Sequence, residues 1–321
     1  MLNTKKFTIF LLLIYSTLLV GYMLGEDSLG GAFDDYSGHA YIAEKFNNEF
    51  IDTLFAYDSL GHRHSPIFYI FKSFLINFGE EFQRLFFLHL FLLIPIFFYK
   101  SLKIIYPLEK KNRLKFFALI LLLFPTFRAY SIWPDPHLLG TLFFLIAIYF
   151  FLKFQKSDKY TKIKFAYFNV FFVSLAGYAS PNYSVFAIYF FINYFLVFKI
   201  NRYLIYIIFL NILLSIPFFY YVFFLDINFI FSNNGWNIGS NFYSISNISN
   251  KIILILSIII FYLFPFLLSK SIKIDFKFYK ENLNLFFLFS LIFITFCYFF
   301  EFEHIYNLTN SGGGFIYNLS K

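Results

Sequence analysis

Apolar runs of similar length recur along the chain, separated by short polar stretches. They lie at 7–24, 82–99, 116–132, 138–152, 165–180, 183–198, 203–225, 252–269 and 283–300. Each is close to the ~20 residues a helix needs to cross the apolar core of a bilayer. The pattern predicts an all-α polytopic membrane protein of about nine transmembrane helices. A tenth apolar stretch, Pro66 to Phe78, is short for a span and carries Lys72. It is expected to be an interfacial or re-entrant helix. The first run follows Lys5 and Lys6 and has no small-residue cleavage site after it, which predicts an uncleaved signal anchor.

Lysine and arginine gather in short loops on the cytoplasmic side of membrane proteins. With the N-terminus inside, every predicted cytoplasmic segment is basic: Lys5 and Lys6, Lys100 to Lys115, Lys153 to Lys164, Lys199 with Arg202, and Lys270 to Lys280. Most acids fall on the other side. The long polar stretch Gly30 to Tyr69 then belongs to a first outward loop, residues 25–81. Within it, His39, Ala43, Phe46 and Phe50 recur at helical spacing, the pattern of an amphipathic helix lying along a membrane surface.

Composition sharpens this picture. The chain is 60% hydrophobic and 14% charged, too apolar for a soluble domain. Its net charge of +8 is explained by the cytoplasmic collars, so no nucleic-acid partner is expected. Cys297 is the only cysteine, which excludes a disulfide framework and a cysteine-based metal site. The nearest approach to a histidine metal pair is His62-x-His64, not a zinc spacing.

The order of features Phe33-Asp34-Asp35-Tyr36, a helix through His39 and Ala43, His64-Ser65-Pro66-Ile67-Phe68-Tyr69, and Trp133-Pro134-Asp135 resembles the membrane-embedded glycosyltransferases of the GT-C class. Protein O-mannosyltransferases and the lipid A aminoarabinose transferase belong to that class. The likeness covers the first 200 residues or so in topology. It implies a single membrane-embedded module that moves a sugar, with inversion, from a polyprenyl-phosphate donor to an outward-facing acceptor: lipid A, a surface glycan or a protein. It also implies that Asp34 or Asp35 is the catalytic acid and that Asp135 is a second functional acid. Asp135 stands alone, not in an Asp-x-Asp pair, and no large soluble C-terminal domain follows. The chain stops at GGGFIYNLSK, where a further span would be expected to begin. The abundance of Phe, Ile, Asn and Lys fits an AT-rich genome, so the expected location is a bacterial inner membrane, with the active site on the periplasmic face.

Such a transfer needs a carboxylate to take the acceptor's proton and cations to offset the phosphate left behind. One of Asp34 and Asp35 is expected to cap the following helix and the other to be the base, with Asp34 favoured. Arg63, His62, His64, Arg84 and Arg128 are the candidates for the donor phosphate. His62-Arg63-His64 also fits a turn facing lipid head groups, and Arg128 also fits snorkelling to the interface. No cofactor is called for outright; were a divalent cation to take part, Asp34, Asp35 and Asp135 would suit Mg²⁺ or Mn²⁺. Two rivals stand beside the transferase. A surface-polysaccharide polymerase or ligase would concentrate Arg and His in a late outward loop, and the stretch Asp226 to Asn250 has neither. A flippase or transporter of lipid-linked sugar would place ionisable groups in mid-span, where Arg128 is nearly alone.

Overall fold

The computed structural model describes residues 4–61, 64–225 and 282–300, together with isolated helical positions between 249 and 260. The candidates His62 and Arg63, the loop 226–250, most of the run 252–269, and the C-terminal end lie outside the described residues. The chain divides into two compact units, residues 1–234 with 308–321, and residues 235–307. Among the described residues there is no β-strand.

The first unit opens with α1 (Thr4–Met23), then α2 (Ala32–Asn48), α3 (Phe50–Phe55) and α4 (Ile67–Ser73). Next come α5 (Glu80–Phe91) and α6 (Leu93–Ile105), separated only at Leu92. Pro95 has no N–H to give the Phe91 carbonyl, which explains a break there without a change of direction large enough to divide the span. Among the described residues, four helical segments are long and apolar enough to cross a membrane: Glu80–Ile105, α9 (Pro136–Lys156), Pro181–Phe198, which contains α11 (Phe186–Phe198), and α12 (Arg202–Phe224).

A fifth is added if α7 (Lys111–Ile120) and α8 (Pro125–Ile132) are counted as one broken span. They are bent by 65°, because Phe124, ahead of Pro125, is pushed into extended backbone at φ −68°, ψ 132°. Among the described residues there are thus four or five candidate spans. The apolar parts of α1 (Phe7–Met23) and of the second unit's α13 (Leu283–Tyr298) are shorter, and α10 (Lys159–Ala179) opens on Lys159, Lys162 and Lys164.

Helix α9 is the most enclosed of these segments and α12 the least. One apolar core gathers α1, α2, α4, α5, α8 and the first half of α9 around Phe68, Tyr69, Phe87 and Ile132. The other joins the second half of α9 to α10, α11 and α12 through Phe151, Phe154 and Tyr194. Side chains start the later helices: Asp158 accepts the Thr161 N–H at 3.0 Å, and Asn201 accepts those of Tyr203 and Leu204 at 2.9 and 3.1 Å.

Helix α2 differs from expectation in extent and in what it faces. It begins at Ala32 and ends before Phe50, which opens α3. Its apolar side, with Tyr36, His39, Ile42, Ala43 and Phe46, is buried within the protein and packs on α4, not on a membrane surface. Pro66 to Phe78 forms only the seven-residue α4 and a 3₁₀ turn, Ile76–Phe78.

Helices α1 and α8 are fastened by charge. The Arg128 guanidinium forks onto the Glu26 carboxylate, with Nε donating to Oε1 at 2.7 Å and Nη2 to Oε2, and Nη2 also donates to the Thr17 carbonyl at 2.9 Å. Bidentate pairs of this kind are among the stronger hydrogen bonds. Arg128 holds the Glu26 carboxyl below its ordinary pKa by that hydrogen bond, against the opposing effect of burial. The pair fits because residue 21 is glycine: a Cβ there would overlap the Glu26 carboxylate and come within 2.8 Å of Arg128 Nη2. Gly21→Ala is therefore expected to cost about 1.5–3 kcal/mol, the worth of a charged hydrogen bond, read as a lowered melting temperature in detergent. Glu26→Gln should lose a similar amount, and the double variant little more than either.

Candidate functional site

The buried end of the first unit is built around the break between α8 and α9. Trp133 and Pro134 stop α8, Pro136 occupies the first position of α9, and Asp135 caps it by accepting the His137 N–H at 2.7 Å. Asp135 is only 4% exposed, so its second oxygen also needs a partner inside the protein. His39 of α2 provides it, Nε2 to Oδ2 at 3.4 Å, while Tyr69 of α4 meets His39 Nδ1 at 3.2 Å. With the carboxylate ionised, these contacts fit one tautomer: His39 Nε2–H donates to Asp135, and Nδ1 accepts from the Tyr69 hydroxyl. Burial pushes the Asp135 carboxyl up, but the His39 hydrogen bond and the neighbouring His137 outweigh it and leave it below its ordinary value.

Two further histidines complete the cluster. The His64 ring lies edge-on to His137, with centroids 5.0 Å apart, and 6.2 Å from His39. Tyr57 holds the His64 carbonyl at 2.6 Å, and His137 Nδ1 meets the Ser180 hydroxyl at 2.9 Å. Gly140, one turn after His137, lets the Ser180–Tyr183 turn lie against α9: a Cβ there would come within 2.9 Å of Ser180 Cβ.

Beside this cluster runs a stack of cations and rings. Arg84 of α5 lies 3.6 Å over Trp133 and 5.0 Å from the Tyr22 ring, with Nε donating to the Ile132 carbonyl at 3.1 Å and Glu80 3.8 Å away. Its Nη2 and the Trp133 Nε1 are enclosed and meet no hydrogen-bond acceptor among the described residues. Phe33 and Tyr36 flank Trp133 at 4.7 and 5.6 Å. Lys72 is 1% exposed, with its ammonium 3.6 Å over the Tyr36 ring. Burial lowers its pKa to about 7 against the attraction of Glu80 and Glu44.

Asp34 and Asp35 lie in the first turn of α2 and are exposed. Gly31 holds the N-cap position of α2 without a side chain, and the capping expected of one of the two acids is done by Asp27, whose carboxylate accepts the N–H groups of Gly30 and Gly31 at 2.8 Å and of Phe33 at 3.3 Å. Both acids sit at the positive end of the helix, where a carboxylate is favoured. Asp35 is one turn ahead of His39 on α2, the helix that His39 ties to Asp135.

Other expectations change. Trp133 is 7% exposed, a core ring. Arg128 is engaged by Glu26. Asp135 has both oxygens occupied by protein, and among the described residues no three His, Cys, Asp or Glu side chains are arranged to hold a metal ion. Sequence reasoning missed Lys72, His39, Tyr69 and Glu26 as members of these networks. The available signal was charge at apolar positions: Lys72 inside Ile67–Ser73, and Glu26 and Arg128 each at the end of an apolar run.

Compared with known proteins, the chain matches no protein-family model, no curated protein and no solved structure.

Two outcomes test these networks. Asp135→Asn keeps an acceptor for the His137 N–H but removes the charge facing His39, and should cost about 1.5–3 kcal/mol. The wild type draws stability from an Asp135 pKa that is lower folded than unfolded, so that contribution is present at neutral pH and lost as pH falls through the carboxylate range. Thermal melts between pH 7 and 4 should fall less steeply in the variant. Lys72 also gives a stability that rises with pH, but because its charged form is the disfavoured one in the fold. Its proton is held to about pH 7 in the folded chain and to about 10.4 in the unfolded one, so stability rises with pH across that window. Lys72→Met should raise the melting temperature at pH 7 and flatten its rise towards pH 10.

Proposed function

We propose that the protein is a GT-C-type membrane glycosyltransferase that moves a sugar from a polyprenyl-phosphate donor to a hydroxyl of a lipid, glycan or protein acceptor. The observation that carries this reading is the position of Trp133. It packs on Phe33 and Tyr36, which bracket Asp34 and Asp35, and on its other contact carries the Arg84 guanidinium. A base and a phosphate partner are thereby supported by a single ring, next to a second acid, Asp135, that pins the base-bearing helix.

In this mechanism Asp34 or Asp35 accepts the acceptor hydroxyl's proton as its oxygen bonds to the anomeric carbon. The bond from that carbon to the phosphate oxygen breaks with inversion, and the phosphate leaves as an anion. Arg84, with an enclosed N–H that meets no acceptor among the described residues, is the favoured partner for that charge; of the other candidates, His64 belongs to the buried histidine cluster, Arg128 is engaged by Glu26, and His62 and Arg63 lie outside the described residues. Asp135 acts by positioning α2. The nine-span topology, with the N-terminus in the cytoplasm and the site on the periplasmic face of an inner membrane, is part of the same proposal.

The test is transfer or hydrolysis of a radiolabelled polyprenyl-phosphate sugar by protein reconstituted in liposomes. The wild type should consume the donor. Changing both aspartates to Asn should lower the rate at least 100-fold, the lower end of what a positioned base contributes, without altering the melting temperature. Arg84→Met should raise the KM for donor more than it lowers kcat. Full activity in both single variants and the double variant would refute the assignment, and translocation of the lipid without sugar transfer would favour the transporter reading.

A further inference from the structure

A cavity of about 340 Å³ lies among α10, the Pro181–Ser184 turn, α11 and α12, within the first unit. That is the small end of the range for ligand pockets, about 300–1,000 Å³. Its walls carry Ser65, Ser174, Tyr178, Ser184, Asn211 and Ser215 between apolar groups such as Val173, Leu214 and Phe218, and no ionisable acid or base apart from the tyrosine phenol.

Polar side chains on spanning helices commonly bond across to a neighbouring helix. Several of these do not. Asn211 Nδ2 donates to Ile207 O at 2.8 Å and Ser215 Oγ to Ile212 O at 2.8 Å, each within α12, and Ser184 Oγ donates to Pro181 O at 2.6 Å within its own turn. They hold no helices together; with their protons spent locally, their remaining acceptor capacity belongs to the cavity they line.

Tyr178 reaches across to α12, donating to Leu214 O at 2.5 Å and accepting from Phe218 N at 3.2 Å beside Pro217. A side chain inserted at a proline is a recognised cause of helix bending, and here it lies at the cavity wall. Ser65 closes the end nearest the histidine cluster by donating to the Tyr178 carbonyl. Ser184, at the other side, is exposed.

The hydrogen-bonding capacity left over has a definite sign. The hydroxyls of Ser65, Ser184 and Ser215 have spent their protons on backbone carbonyls and keep lone pairs. Asn211 keeps its carbonyl oxygen and one N–H. The ligand that matches is one rich in hydroxyl donors, with apolar C–H faces for Val173, Leu214 and Phe218, and without charge. A phosphate or carboxylate would be dehydrated there with no cation to meet it.

We propose that this cavity binds the uncharged sugar head group of a membrane glycolipid. The inference is independent of the transferase reading, since a protein that transfers no sugar could still bind one.

The test is saturation binding of tritiated octyl β-D-glucopyranoside to full-length protein in phosphatidylcholine nanodiscs, with octyl phosphate as competitor and empty nanodiscs as background. Saturable binding is expected, with octyl phosphate at least tenfold weaker. Ser174→Leu, which fills the cavity, and Asn211→Leu, which removes its amide, should each weaken binding at least tenfold. Absence of saturable binding, equal or better competition by octyl phosphate, or unchanged affinity in both variants would overturn the proposal. Were a variant to melt early, the ligand comparison on wild-type protein decides alone. Loss of glucoside binding with intact donor consumption would sink this inference only, and loss of donor consumption with intact binding would sink the transferase reading only.

Discussion

A carboxylate buried at the break between two helices governs the architecture of the first unit. The two prolines around Asp135 stop α8 and restart the chain as α9, and the aspartate caps the new helix. That use occupies one oxygen. The other is dehydrated and must be satisfied by protein, which draws His39, and with it α2, against the start of α9. Tyr69 then brings α4 to the opposite nitrogen of the same imidazole. Three elements distant in sequence are thus referred to one ionised group.

The same logic recurs at lower stakes around it. Glu26 and Arg128 fasten α1 to α8, in a space that Gly21 leaves open. Lys72 spends its charge on the Tyr36 ring and is held near neutrality by its own burial. Arg84 lies on Trp133. Each is a charge that an apolar bundle tolerates only in company, and each therefore reports a specific tertiary neighbour. Asp34 and Asp35, in the first turn of α2, are exposed by contrast.

Much was legible in one dimension. Periodicity located most of the helices, since a helix that spans a bilayer must be apolar at span length. Lengths were less secure. The run 116–132 reads as a continuous span, but Pro125 breaks it with a 65° bend. The run through His39 reads as a helix on a membrane surface because amphipathicity says only that one side is apolar, not whether lipid or protein covers it.

What the sequence by itself determined is the all-helical character, the candidate spans, and the set of chemically unusual residues, because these follow from local periodicity and from the rarity of polar groups in an apolar chain. Which of those residues meet was decided only by the tertiary structure. Asp27 was not separable from Asp34 and Asp35 as the cap of α2, nor Glu26 identifiable as the partner of Arg128 across 102 positions. Contacts of that kind depend on how helices pack side by side, and pairwise distance between helices leaves no trace in the periodicity of either one.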